Sequence, residues 1–198
     1  MLNDGYTEVP QGRLAAVVTY LEMRQPPPPA PDWTPPSGLR IVPHAKPDLA
    51  WYRDLFRRVG EQWLWFSRLR MGDEELRAVL HDDRVDVFAL EKAGVAKGLL
   101  ELDRRDFPEI ELAFFGVTPD LVGKGAGRLL MRFAVEEAWR HKPARFHVHT
   151  CTLDHPRAVE FYVKSGFRAY KRAVEVSPDP RLTGELRRDA AACVPVIE

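Results

Sequence analysis

The sequence predicts a mixed α/β fold, in which a central sheet carries helices on both faces. The first observation is a hairpin pattern: residues 85–90 alternate as a strand, a Lys-Ala-Gly turn follows, and residues 95–102 return as its partner. The second is a crossover pattern, because a long amphipathic segment at 125–141 separates strand-like residues 109–117 from strand-like residues 145–151. Hairpins mixed with crossover helices favour a mixed sheet with a helical layer on each side.

The remaining elements follow from local patterns. Apolar and β-branched runs bounded by turn residues predict further strands at 14–23, 39–42 and 167–176. Helical spacing of apolar residues, with acidic or proline-containing first turns in two cases, predicts helices at 48–58, 62–70, 73–80 and 155–164. The last of these helices is closed by Ser165 and Gly166.

A proline-rich arm, residues 25–37, separates the first strand from the second. Seven of its thirteen residues are proline, and proline lacks the backbone donor that helices and sheets require. We therefore predict an extended polyproline spacer that returns the first strand to the body of the protein. The alternative is that the arm is a docking ligand for a proline-reading domain.

The length of the chain indicates one domain with an additional segment at each end. The 198 residues divide into an N-terminal strand with its arm (1–37), a main domain (38–176) and a C-terminal tail (177–198). Lys plus Arg and Asp plus Glu each number 29, so no overall field favours nucleic acid or an acidic membrane as a partner. Exposed edge strands are compatible with a homodimer.

Cysteine usage and hydropathy bear on the compartment. Cys151 and Cys193 form neither a disulfide framework nor a zinc-binding spacing. The first residues lack a basic region followed by an apolar one. No run of about 20 apolar residues occurs, which is the length that a membrane span needs. The expected location is therefore the cytoplasm.

Three glycines, Gly123, Gly125 and Gly127, occupy the loop before the long amphipathic helix. Without a Cβ atom, such positions allow unusual backbone angles and the close approach of an anion. Free N–H groups at the helix start would then bind phosphate or pyrophosphate. Two nucleotide motifs fail here: Lys124 is followed by glycine rather than the Ser or Thr of a Walker loop, and Leu130 stands where a dinucleotide fingerprint needs its third glycine.

Two segments resemble motifs of the GNAT superfamily of N-acetyltransferases. Residues 117–130, VTPDLVGKGAGRLL, are similar to motif A, in which a loop-to-helix junction holds the coenzyme A pyrophosphate. Residues 155–167, HPRAVEFYVKSGF, are similar to motif B, usually Asn-x-x-Ala-x-x-Phe-Tyr followed by Gly-Phe. A predicted strand lies between them, as in that family. The resemblance is strongest over 109–170 and extends over 39–176.

The resemblance implies a fold, a cofactor and a set of contacts. The central sheet would be mostly antiparallel and splayed at the cofactor site, and the cofactor would be acetyl-CoA without any metal. The pantetheine arm would lie in the splay and pair with the strand backbone. The implied cofactor-binding residues are Phe115, Val117, Val122, Gly123, Lys124, Gly125, Ala126, Gly127, Arg128, His155, Arg157 and Tyr162.

Two positions depart from the family pattern. Val122 stands at the usual Arg or Gln, so one side-chain contact to phosphate is lost, and Lys124, Arg128 or Arg132 are candidates to replace it. His155 stands at the usual Asn, and histidine can still donate a hydrogen bond to the cofactor.

Two catalytic residues are implied by the same resemblance. Glu111 matches the strand glutamate that acts as a general base in histone-type members, with Glu109 on the same strand face as the fallback. Tyr162 occupies the motif B position beside the thioester, where a hydroxyl would protonate the departing thiolate. The alternatives are solvated carboxylates with water as the base, and a tyrosine that only packs on the pantetheine arm.

Other side chains allow more than one interpretation. His147 and His149 share a strand face and could ligate a metal, but no third ligand is suitably spaced, so packing or substrate contact is favoured. Trp63, Trp65 and Phe66 fall on helices that in this family cover the acceptor site. They are candidates either for selecting an apolar amine or for the core.

The predicted function is direct acetyl transfer from acetyl-CoA to a primary amine, on a small molecule or a protein, in a ternary complex. Neither cysteine lies in a nucleophile context, which disfavours an acyl-enzyme. One rival is a non-catalytic coenzyme A-binding sensor or scaffold of the same fold. Another is an interaction module built on the proline-rich arm, for which deletion of residues 1–37 is expected to abolish partner capture while the core stays folded.

Overall fold

The computed structural model describes residues 4–28 and 32–198. These residues form seven strands, β1 (Arg13–Met23), β2 (Leu39–Pro43), β3 (Val85–Lys92), β4 (Val95–Asp103), β5 (Glu109–Val117), β6 (Arg145–Cys151) and β7 (Arg168–Pro178). They also form five α-helices, α1 (Leu49–Gly60), α2 (Ser67–Arg70), α3 (Asp73–Leu80), α4 (Ala126–Arg140) and α5 (Ala158–Lys164). One-turn 3₁₀ helices occur at Glu61–Trp63 and Pro119–Leu121. The central residues 29–31 of the proline-rich arm lie outside the described residues.

The described strands make a single sheet in the order β2-β3-β4-β5-β6-β1-β7. Every neighbouring pair is antiparallel except β5 and β6, which run parallel and are connected through α4. The parallel pair needs a crossover helix because its strands run in the same direction. The mixed, mostly antiparallel sheet is therefore confirmed.

Helices cover both faces of this sheet, as predicted. Adjacent residues of β4 show the division: Leu100 joins a core with α4 and α5, whereas Leu99 joins a second core with α1 and α3. Successive strand residues point to opposite faces, so each face has its own helical layer. No helix within 4–28 or 32–198 is both long and apolar enough to cross a membrane.

The N-terminal strand is an interior strand of the sheet. β1 lies between β6 and β7, with Leu21 opposite Val148 on one side and Val17 opposite Val174 on the other. Leu21 is fully buried in the main core. Deletion of residues 1–37 would remove this strand and leave β7 without its neighbour, so the core is not independent of that segment.

The C-terminal tail packs against the same region. Leu186 and Ala190 are buried in a small cluster with Leu14 of β1. The Arg181 guanidinium is buried and forms a 2.7 Å ion pair with Asp179 while also donating to tail carbonyls. The tail is therefore folded onto the start of β1.

The predicted helix at 62–70 is wrong as a single element. The 3₁₀ turn ends at Leu64, whose φ of 55° is left-handed, and α2 begins only at Ser67. Trp65 packs back on Gly60, where an added Cβ would lie 2.4 Å from the indole. The chain must reverse to make that contact, and a continuous helix cannot do so.

The predicted helix at 155–164 begins three residues late, at Ala158. Residues 155–157 form a turn instead, in which the Arg157 N–H donates to His155 Nδ1 and the Ala158 N–H donates to the His155 carbonyl. This side-chain bond offers the backbone a local alternative to the helix. Most of the other predicted boundaries hold within about two residues.

Candidate active site

The two parallel strands separate at the centre of the sheet. β5 and β6 pair only at Glu109 with Arg145, Ile110 with Phe146 and Glu111 with His147. Beyond these residues β5 stays with β4, and β6 stays with β1. A cavity of about 820 Å³ opens at this separation, and both strands contribute to its lining. The β5 backbone that faces the gap has no strand partner there.

One end of the cavity is the glycine loop. Gly123 and Gly125 have φ angles of 75° and 80°, the left-handed region that glycine adopts without strain. The first helical bond of α4 runs from the Leu129 N–H to the Gly125 carbonyl, and no side chain caps the helix. The N–H groups of Ala126, Gly127 and Arg128 therefore have no partner within the helix. With the helix dipole, they form a cradle for an anion.

Most of the predicted cofactor-binding residues line this cavity. They are Phe115, Val117, Val122, Gly123, Gly125, Gly127, Arg128, His155, Arg157 and Tyr162. Lys124 is exposed and Ala126 is buried under the loop, and neither side chain lines the cavity. Arg128 and Arg157 bring positive charge to the loop end, where phosphate groups would be neutralised.

The other end of the cavity holds Glu111 and His149. His149 Nδ1 lies 3.1 Å from Glu111 Oε1. This hydrogen bond lowers the pKa of the Glu111 carboxyl, although burial opposes the shift. The same bond raises the pKa of the His149 imidazole, again against burial. Because an ionised carboxylate only accepts hydrogen bonds, Nδ1 carries the hydrogen and Nε2 is left as the basic nitrogen of the neutral ring.

The neighbouring carboxylate and imidazole are placed differently. Glu109 accepts a 2.8 Å bond from Arg145 Nη2 and does not line the cavity. His147 Nε2 lies 4.0 Å from Glu109, and burial lowers the pKa of its imidazole. His147 and His149 share a face of β6, but His147 lies in the segment that pairs with β5, whereas His149 lies beyond that segment and lines the cavity. Within the described residues, no group of three His, Cys, Asp or Glu side chains could hold a metal ion.

Tyr162 lies in the cavity wall between aromatic neighbours. Its ring is 5.8 Å from Phe167 and 6.3 Å from Phe115, centroid to centroid, and only 7% of the residue is exposed. Its hydroxyl forms no hydrogen bond with another described residue. Burial, and to a lesser extent the charge of Asp154, raise the pKa of the phenol, so the hydroxyl stays protonated.

An aromatic wall continues toward the Glu111 end, formed by Trp63, Trp65, Phe66 and Phe114. Trp65 packs on Phe56 and Phe114 and also faces the cavity. Its Nε1–H donates a 3.1 Å bond to Asp154. Trp65 and Phe114 therefore pack against the core and line the cavity at once, whereas Trp63 and Phe66 belong to the cavity lining alone among the described residues.

Asp154 is a site residue that the sequence interpretation missed. Its Oδ2 accepts 2.6 Å and 2.9 Å bonds from the Thr150 hydroxyl and the Cys151 N–H, while its Oδ1 accepts the bond from Trp65. An Asp that follows a strand and precedes a turn is a known signal for such backbone capping. Nearby, burial raises the pKa of the Cys151 thiol to about 11.

Residues 49–167 match the model of a family described as the acetyltransferase (GNAT) family. This match begins after β1, the arm and β2, and it ends before β7. No curated protein matches the chain by sequence.

Solved structures share the fold at low identity. An aminoglycoside acetyltransferase from an uncultured soil metagenomic sample is 18% identical, with a TM-score of 0.57, over 70% of this chain and 93% of that one. A GNAT family acetyltransferase from Elizabethkingia anophelis with acetyl-CoA bound is also 18% identical, with a TM-score of 0.53, over 69% and 80%. A GCN5-related N-acetyltransferase from Sphaerobacter thermophilus is 15% identical, with a TM-score of 0.57, over 85% of this chain.

The chain is shorter than some of the proteins it resembles. It spans 52% of the Sphaerobacter thermophilus chain and 64% of a matched Staphylococcus epidermidis protein of unknown function.

Proposed function

Because this chain belongs to the acetyltransferase (GNAT) family, we propose that it transfers an acetyl group from acetyl-CoA to a primary amine in a ternary complex. One observation carries the proposal: one cavity joins the N–H groups of α4 that have no partner among the described residues to the Glu111–His149 pair, with Tyr162 in its wall. An anion site, a hydrogen-bond donor and a base are the groups that acyl transfer to an amine needs.

The loop end fits the nucleotide part of acetyl-CoA, which would supply the activated acetyl thioester. The pyrophosphate would lie on the N–H groups of Gly127 and Arg128, with the Arg128 and Arg157 side chains as counter-charges. The pantetheine amides would pair with the free β5 backbone at Phe115 and Val117, where β6 has moved away.

The Glu111–His149 pair would remove the proton from the attacking amine. An alkylamine with a pKa of about 10.4 is mostly protonated at neutral pH, and deprotonation costs roughly 4–5 kcal/mol. His149 Nε2 would accept that proton while Nδ1–H stays bonded to Glu111. The carboxylate would orient the ring and stabilise the imidazolium that forms, so Glu111 would act through His149.

The leaving group would be handled by Tyr162. As the amine nitrogen bonds to the carbonyl carbon, the carbon–sulfur bond breaks and the sulfur leaves as a thiolate. The Tyr162 hydroxyl, which is protonated and has no hydrogen-bond partner in the described part of the chain, would donate to that sulfur. The Cys151 thiol, whose pKa of about 11 keeps it protonated, is a poor nucleophile at neutral pH, which favours direct transfer over an acyl-cysteine.

The acceptor end of the cavity favours a cationic amine with an apolar body. Trp63 and Phe66 offer apolar contact, and the donors to Asp154 among residues 4–28 and 32–198 are all uncharged, so none of them neutralises its negative charge. Glu175 also lines the cavity and has no ion pair with any described residue. An acceptor with a second positive charge would complement these carboxylates. The fold shared with an aminoglycoside acetyltransferase adds aminoglycosides to the candidates.

The test is thiol release from acetyl-CoA with a panel of alkylamines, arylalkylamines, polyamines, aminoglycosides and peptides, with the products weighed by mass spectrometry. Acetylation of at least one amine class above the uncatalysed rate is the expected result. Acetyl-CoA binding by calorimetry without turnover on any amine would favour the sensor alternative. Absence of binding would overturn the cofactor assignment itself.

A further inference from the structure

The proline-rich arm lies on the glycine loop. A Cβ added to Gly125 would lie 3.2 Å from Trp33 Cζ2 and 3.2 Å from Pro36 Cγ. Contacts this short mean that the arm packs directly on the loop backbone with no gap between them. The acetyltransferase match starts at residue 49, so the arm lies outside the matched region.

The arm also contacts the cation of the loop. The Arg128 guanidinium carbon lies 4.6 Å from the centroid of the Trp33 ring, above its face. This is a cation–π contact. Two ion pairs lie near the loop and in α5, Lys97 with Asp120 and Lys164 with Glu160, and neither involves Arg128. None of the ion pairs between described residues includes Arg128, so its N–H donors remain available to an anion.

A second contact fixes the other end of the arm. At Gly166, just after α5, an added Cβ would lie 2.9 Å from Pro27 Cβ and 3.3 Å from Met23 Cε. The described parts of the arm are thus held beside α5 through Pro27 and on the loop through Trp33. Both anchors border helices that line the cavity.

We propose that Trp33, which lies outside the cavity lining, holds Arg128 in position for the phosphate groups of a nucleotide-bearing thioester. This inference rests on the proposed function. An arginine stacked on an aromatic face loses less side-chain freedom when it binds phosphate than one that is free in solvent. Trp33 is accordingly a positioning residue, and the arm makes the site selective for donors that carry the nucleotide end.

Calorimetry with two probes tests the inference, namely coenzyme A and pantetheine, which lacks the nucleotide. Trp33→Ala is expected to weaken coenzyme A binding by about threefold to tenfold, the cost of ordering one long side chain on binding, and to leave pantetheine binding unchanged. Trp33→Phe keeps an aromatic face and should recover most of the affinity. Pro35→Ala, at an exposed arm position, serves as the matched control and should change neither affinity.

The coupling to Arg128 gives a second readout. If Trp33 acts through Arg128, the combined variant Trp33→Ala with Arg128→Ala should bind coenzyme A no more weakly than Arg128→Ala alone. Unchanged or tighter coenzyme A binding by Trp33→Ala would overturn the inference, since tighter binding means that the arm obstructs the site. An equal loss for both probes would also overturn it and assign the arm a purely structural role. Failure of the wild-type protein to bind coenzyme A would instead refute the proposed function.

Discussion

His149 on β6 and Glu111 on β5 share a 3.1 Å hydrogen bond at the point where the two parallel strands separate. The bond fixes the imidazole tautomer, because the carboxylate can only accept. It also moves the two pKa values apart, upward for the His149 imidazole and downward for the Glu111 carboxyl. The basic nitrogen of the pair is therefore on the histidine, and several measurable consequences follow for the site.

The acid limb of the pH–rate profile should depend on Glu111. His149 works as a base only when neutral, so turnover should fall as the pH drops below the raised pKa of its imidazole. Glu111→Gln removes the carboxylate charge that raises the pKa of the His149 imidazole. The acid limb should then move to lower pH, while the plateau rate falls because a neutral amide stabilises the imidazolium less than a carboxylate does. His149→Asn should lower the plateau by about 10²–10⁴.

His147 supplies the matched control for this experiment, since it lies on the same strand but outside the cavity lining. His147→Asn should leave the acid limb in place. If Glu111→Gln abolishes turnover at every pH without moving the limb, the carboxylate itself is the base and His149 is only its neighbour.

Gly127→Val should prevent coenzyme A binding without unfolding the protein. Gly127 lies in the first turn of α4, and an added Cβ would meet only Phe161 Cζ, at 3.9 Å. Valine costs a helix no more than glycine does, so the fold should persist. The larger side chain would occupy the cavity beside the phosphate cradle. Calorimetry is the measurement, with Gly72→Ala at an open position as the control; unchanged affinity for a folded Gly127→Val protein would refute the cradle.

Val122→Arg should tighten acetyl-CoA binding. Val122 lines the cavity one residue before the loop glycines, where an arginine could reach phosphate. A charge-assisted hydrogen bond is worth about 1.5–3 kcal/mol, and solvent exposure should reduce the gain to about 1 kcal/mol or less. The gain should shrink as salt is added. Val122→Met, which adds length without charge, should not reproduce it, and an equal effect of both variants would mean that packing rather than charge is responsible.

The buried Glu101 carboxylate should be important for stability. Arg68 Nη2 donates to it over 2.5 Å, and the Tyr52 hydroxyl donates to its other oxygen, with Glu101 fully buried. Glu101→Gln would leave the Arg68 charge buried without its counter-ion, which typically costs about 3–5 kcal/mol. Urea unfolding should show this loss. Glu160→Gln, which breaks an exposed helix pair with Lys164, should change stability little, and similar losses for both variants would contradict the argument.

Local sequence patterns predicted most of the fold. The bounds of β5 and β6 follow from short apolar runs, and α4 follows from its helical period and the glycine loop before it. The position of β1 could not be predicted in this way, because its partners β6 and β7 lie more than 120 residues further along the chain. The break at Leu64 also depends on tertiary contacts, because Trp65 just after it packs on Phe114 and donates to Asp154.

As with the fold, the local motifs of the candidate site could be predicted from the sequence, whereas the contacts between distant residues could not. The glycine loop and Tyr162 were selected by motif spacing, and both line the cavity. The contact between Glu111 and His149 depends on the register of two parallel strands, which neither strand's sequence specifies. The arm contact at Gly125 is likewise a tertiary feature.

Tyr162→Phe provides the most direct test of the chemistry. The variant keeps the ring that packs against Phe115 and Phe167, so the aromatic wall and acetyl-CoA affinity should be preserved. It removes only the hydroxyl, which has no hydrogen-bond partner among the described residues and whose raised pKa keeps it a donor. If that hydroxyl donates to the departing sulfur, turnover should fall by about 10²–10⁴ with little change in binding. Tyr170→Phe, at an exposed position on β7, is the matched control and should change neither turnover nor acetyl-CoA affinity. Turnover of Tyr162→Phe within about twofold of the wild type, with chemistry rate-limiting, would make Tyr162 a packing residue and leave protonation of the thiolate to water.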